Sequence, residues 1–63
     1  MRCKYCNTEM YLDDKDRADR NTVVKYFNCP SCDGSCTVEY RYGFMIKQNW
    51  HSDDHNDDEL IYL

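Results

Sequence analysis

Sixty-three residues make one domain at most. A core of that size yields about 3–5 kcal/mol of net stability, which excludes a barrel, a dinucleotide-binding domain or a large enzyme pocket and favours a chain that is stapled. Eight Lys and Arg against twelve Asp and Glu leave a net charge of −4, and a globally acidic chain repels phosphates before it contacts them.

Residues 3–6 read Cys-Lys-Tyr-Cys, a Cys-x2-Cys pair followed by Asn7. Residues 8–12 (Thr-Glu-Met-Tyr-Leu) are expected to form a short strand. Residues 13–21 are charged at seven of nine positions and offer nothing to bury, so a solvated hairpin loop is expected there. Residues 22–28 (Thr-Val-Val-Lys-Tyr-Phe-Asn) are rich in β-branched and aromatic types and read as a second strand. It enters a second pair, Cys29-Pro30-Ser31-Cys32, in which Pro30 presets φ inside the turn. Asn7 and Gly34 lie just past the two pairs, where a positive φ suits Asn and Gly best.

From Cys36 to Trp50, seven of eight even positions are apolar, and Met45 is the only apolar odd one. A period of two decides for strand over helix. Fully extended, this stretch would reach roughly 50 Å, against a radius of gyration near about 11 Å for a compact chain of this length. It must therefore turn or bulge at Gly43, which gives strands over 36–42 and 44–50. Residues 1–50 form the expected domain, with 51–63 as an acidic C-terminal extension ending in a short apolar segment. That extension holds Asp53, Asp54, Asp57, Asp58 and Glu59 and no Lys or Arg. It reads either as a final strand near its end or as a short helix capped by Ser52. Its middle lacks the central Gly and the spacing of a calcium loop and reads as a solvated linker. His51 and His55 would share one face only if the segment were helical.

The two Cys pairs carry the chemistry. Twenty-two residues separate them, and no apolar leader follows Met1, so a cytoplasmic, reducing setting is expected. In that setting the spacing points to a metal and not to disulfides. Two residues between thiolates let a tight turn aim both sulfurs at one ion, and two such turns make the tetrahedral four-sulfur cage that zinc prefers. Cys3, Cys6, Cys29 and Cys32 are the expected ligands of one structural Zn2+. Cys36 either replaces Cys32 as a ligand or fills a small buried position on the following strand; we take the second reading.

Cys-x2-Cys, hairpin, Cys-Pro-x-Cys and a further strand resemble the zinc ribbon family over about residues 1–42. The resemblance implies a small metal-stapled all-β fold: an antiparallel sheet of three or more strands with two Cys-x2-Cys knuckles. Within that family, Arg17-Ala18-Asp19 through Thr22-Val23-Val24 to Cys29 is similar to the hairpin tip and second strand of transcript-cleavage elongation factors. There an Asp-Glu pair supports a catalytic metal. Asp19 matches the Asp, but Arg20 stands in place of the Glu, so that activity does not carry over. Cys29-Pro30-Ser31-Cys32 also resembles rubredoxin, an iron electron-transfer protein, although Asn7 and Asp33 replace the Gly that follows each pair there.

The expected function is a non-enzymatic binding module with a structural zinc, working as a protein-binding or transcription-associated adaptor. Four thiolates fill a tetrahedral zinc and leave no open position for hydrolysis. No membrane association and no small-molecule substrate are expected. Nucleic acid is the alternative partner, because Arg2, Lys4, Lys15, Arg17, Arg20 and Lys25 would make a basic side and tyrosines stack bases. Against it, Asp13, Asp14, Asp16 and Asp19 interleave with those bases in sequence.

Overall fold

Each strand of the chain lies beside its sequence neighbour. The computed structural model describes all 63 residues and holds β1 (Tyr11–Arg17), β2 (Thr22–Asn28), β3 (Ser35–Arg41), β4 (Phe44–Ser52) and β5 (Asp57–Tyr62). They form one five-stranded antiparallel sheet in the order β1-β2-β3-β4-β5. The small all-β architecture expected from the sequence is present. No helix is long and apolar enough to cross a membrane.

β2 spans the predicted stretch, whereas β1 does not. Only Tyr11 and Leu12 of the expected first strand lie in β1, and Asp13 to Arg17, expected as loop, are strand. The turn is confined to residues 18–21, where Asn21 N–H donates to Asp19 Oδ1 at 2.8 Å. The correction has a physical reason. An edge strand is held by main-chain hydrogen bonds to one neighbour and buries no side chain; every residue of β1 is exposed. A charged composition therefore does not exclude it.

β3 and β4 meet in a two-residue turn in which Tyr42 (φ 54°) and Gly43 (φ 82°) are both left-handed and Arg41 pairs with Phe44. Two positive φ values match the right-handed twist of the flanking strands. The predicted break at Gly43 is thus a turn. A bulge follows: Glu39 faces Lys47 but Tyr40 faces Met45, leaving Ile46 unpaired. The extra residue flips the pleat. Met45 packs on the core, while Phe44 is 73 % exposed, so the single apolar face read from the even positions holds only from Trp50 back to Gln48 on β4.

The undecided tail is a strand. β5 pairs with β4 from Lys47–Tyr62 to Ser52–Asp57, around a turn in which Asn56 is left-handed (φ 49°). The helical spacing of His51 and His55 is therefore absent. His51 Nε2 instead lies 3.1 Å from Asp53 Oδ1.

The N-terminal segment folds over one face of the sheet. Cys3 and Met10 from that segment join Cys29, Cys36, Val38 and Trp50 in one buried cluster. Met10 N–H donates to the Met1 carbonyl at 2.8 Å, which closes the segment on itself. Only nine of 63 residues are buried, too few for side-chain packing alone to hold a sheet of this size.

Candidate metal centre

Two loops, far apart in sequence, present four sulfurs to one point. The first is 3–8, where Asn7 N–H donates to the Cys3 carbonyl at 2.8 Å and Cys3 N–H to the Thr8 carbonyl at 2.9 Å. Asn7 takes the left-handed conformation that the sequence suggests (φ 62°). The second is 29–34, closed by Cys29 N–H donating to the Gly34 carbonyl at 3.0 Å. Gly34 is not left-handed, which corrects the sequence expectation; its lack of a side chain serves space instead. A Cβ there would stand 2.9 Å from Tyr5 Cδ2, 3.0 Å from Cys3 Sγ and 3.3 Å from Cys32 Sγ.

The sulfurs of Cys3, Cys6, Cys29 and Cys32 all lie within 4.8 Å of one another. Cys6 and Cys29 are separated by 3.3 Å, and Cys32 lies 3.7 Å from both Cys3 and Cys6. A tetrahedron with metal–sulfur bonds near 2.3 Å has sulfur–sulfur edges of about 3.8 Å. The two 3.7 Å separations match that edge and no separation exceeds 4.8 Å, so the donor set suits an ion that prefers thiolates. Cys3 and Cys29 are buried, Cys32 is half-buried and Cys6 is exposed, so one corner faces water.

The electrostatics point the same way. The Thr8 hydroxyl and backbone N–H, with help from Cys29, hold the Cys6 thiol down to about 6. At Cys32 the Gly34 N–H, 3.3 Å from the sulfur, favours the thiolate, but burial and the sulfurs of Cys29, Cys6 and Cys3 outweigh it and push the thiol up to about 12. The first thiolate to form thus opposes the next. Four thiolates at these separations ionise together only around a cation.

Cys36 stands apart. It lies on β3, fully buried beside Trp50, and is not among the four clustered sulfurs. Burial pushes its thiol up to about 11, the state of an inert packing residue.

Comparison with protein-family models, with curated proteins and with solved structures returns no match. The four-cysteine cluster in a small all-β fold therefore rests on this chain's own geometry, which is zinc-ribbon-like in its general plan.

Sequence reasoning missed the groups that brace this centre. Asp33, next to Cys32, accepts from Ser52 Oγ at 2.5 Å and from Asp54 N–H at 3.0 Å. Ser52 is fully buried, and His55 Nδ1 lies 2.9 Å from its oxygen. Since the Ser52 proton goes to Asp33, His55 Nδ1 is the donor to Ser52. The Tyr5 ring stacks on His55 at 4.8 Å and meets Trp50 edge-on at 6.1 Å. Burial, then the Asp57 carboxylate facing it, raises the Tyr5 phenol to about 12. Lys4 reaches Asp57 at 3.0 Å and Glu59 at 3.3 Å. Both cysteine loops are thereby tied to the β4–β5 hairpin. Apart from Ser52–His55, three positions apart, these pairings join residues about 20 to 55 positions apart, and no local motif announces them.

Proposed function

We propose that Cys3, Cys6, Cys29 and Cys32 hold one structural zinc ion and that the chain is a zinc-ribbon-type binding module. The observation that carries this reading is the set of four sulfurs within 4.8 Å of one another, supplied by two separate loops. Four protein thiolates complete the coordination of zinc, so the ion would serve folding and not catalysis. The work then falls to surfaces, one of them for a protein partner, with transcription machinery as the setting suggested by the resemblance to zinc ribbons. The same cage chemistry also suits iron, as in the rubredoxin-like alternative. Elemental analysis with native mass spectrometry tests the reading. One zinc per colourless chain, and unfolding when it is chelated, is the expected result. A red, iron-loaded protein would make electron transfer the function, and a folded metal-free chain would remove the metal altogether.

A further inference from the structure

The pleat sorts the charges that interleave in the sequence. On β1 and β2, Lys15 pairs with Lys25 and Arg17 with Val23, on the face that carries Val38 and Tyr40. Asp14 and Asp16 pair with Tyr26 and Val24 and point to the other face. Two cross-strand rows complete the first face: Lys15-Lys25-Val38-Gln48-Ile61 and Arg17-Val23-Tyr40-Met45. Neither row contains a carboxylate. The mixed-sign argument against an anionic partner therefore fails on this face.

Lys15 and Lys25 stand directly opposite each other, an arrangement that costs stability in a sheet. No carboxylate is within ion-pairing distance of Lys15, Arg17 or Lys25, whereas Lys4, Arg41 and Lys47 are all paired. Lys25 Nζ lies 4.8 Å from the centre of the Tyr40 ring, which fixes an aromatic face beside the cations. Lys15, Asn21, Val23, Lys25, Tyr40 and Gly43 line an open cavity of about 310 Å³. Tyr42, at the adjoining hairpin tip, is 70 % exposed.

The acidic tail does not reach this place. Asp53 and Asp54 lie in the β4–β5 turn, at the cysteine end of a molecule 35 Å long. Exposed charges are screened beyond about 8 Å at physiological salt.

We propose that this face binds a single strand of nucleic acid, with phosphates on Lys15, Arg17 and Lys25 and bases against Tyr40 and Tyr42. Cations free of carboxylate partners beside the half-buried Tyr40 ring and the exposed Tyr42 ring are what such strands require, and a strand lying along one face avoids the aspartates on the other.

The test uses the full chain as purified and a labelled thymidine oligomer of about 12 nucleotides, read by fluorescence anisotropy at several salt concentrations. The double variant Lys15→Gln, Lys25→Gln should bind at least about tenfold more weakly, and its salt slope should fall by about 1.4, or 0.7 for each lost phosphate contact. Its melting temperature should hold or rise, since a like-charge pair is removed. Tyr40→Leu should weaken binding by about tenfold, while Tyr40→Phe keeps the ring and the affinity. Lys47→Gln, which removes one positive charge from the opposite face, should stay within about twofold. The proposal is overturned by absence of binding at low salt, or by equal loss in Lys47→Gln. It is also overturned if an oligoglutamate peptide binds more tightly than the oligonucleotide, because the face would then belong to an acidic protein segment.

Discussion

The two ends of the sheet are built on different principles. At the cysteine end, Cys3, Met10, Cys29, Cys36, Val38, Trp50 and Ser52 are buried, and side chains bridge every loop. At the far end Thr22 is buried, but Lys15, Arg17, Tyr42 and Phe44 are exposed, and the turns are held mostly by backbone hydrogen bonds. The contrast teaches where a change must be costly. Almost all of the tertiary order lies at one end, so the far end is free to vary in chemistry and to present a surface.

The largest expected effect separates the five cysteines. Structural zinc in small peptides contributes about 10–16 kcal/mol of apparent binding free energy, against about 3–5 kcal/mol from a core of this size. Cys29→Ser should therefore abolish tight metal binding and unfold the chain. Cys36→Ser, equally buried but outside the cluster, should keep one metal per chain and lose about 1–3 kcal/mol from an unpaired hydroxyl. Metal stoichiometry and circular dichroism of both variants decide it. Release of metal by Cys36→Ser alone would reverse the ligand assignment.

The two glycines give the next comparison, one from each end. An added methyl at Gly34 would press on Tyr5 and the Cys3 sulfur, and backbone on both sides is fixed. Gly34→Ala should cost about 1–3 kcal/mol by overpacking and loosen the metal in a chelator competition. At Gly43 nothing lies within 4 Å, so only its left-handed backbone matters. Gly43→Ala should cost about 1 kcal/mol and leave metal affinity unchanged.

Tyr42 sharpens the same contrast with the opposite sign. It sits at φ 54°, where Asn and Gly are preferred, and its hydroxyl makes one long contact, 3.5 Å from Asn21 Nδ2. Tyr42→Asn creates the Asn-Gly pair that this turn favours. It should stabilise by about 0.5–1 kcal/mol, which in a chain of this size is a rise of a few degrees in melting temperature. A fall would mean that the ring carries packing energy in spite of its exposure.

The four clustering cysteines were legible because metal chemistry demands a fixed local spacing. β2 and the β3–β4 turn were legible because β propensity and Gly43 are local signals. β1 was not, since an edge strand takes its order from a neighbour and tolerates Asp14, Lys15 and Asp16 outside the core. The bulge at Ile46 left no trace either: it depends on register against β3, and it sends Phe44 outward and Met45 inward against the plain alternation. The Asp33–Ser52 contact, the Tyr5–His55 stack and the Lys4 bridge were invisible for the same reason, being products of long-range register.

The smallest expected effect lies in that bridge. Lys4, hydrogen-bonded to Asp57, holds the Asp57 carboxyl below the usual carboxylate range, and Asp57 and Glu59 in turn hold the Lys4 amine above its usual value. A depressed carboxyl contributes stability that is full above its unfolded value, about 3.9, and is lost as pH falls through the folded one. The pair is partly exposed and screened by solvent, so the contribution is small. Acid also protonates thiolates and releases metal, which would mask the effect in the wild type alone. The metal term is common to the wild type and Asp57→Asn, so their difference in melting temperature isolates the bridge. That difference should be constant from about pH 5 to 8 and shrink towards zero below about pH 4. A difference that persists unchanged in acid would show that Asp57 supports β5 through hydrogen bonding without its charge.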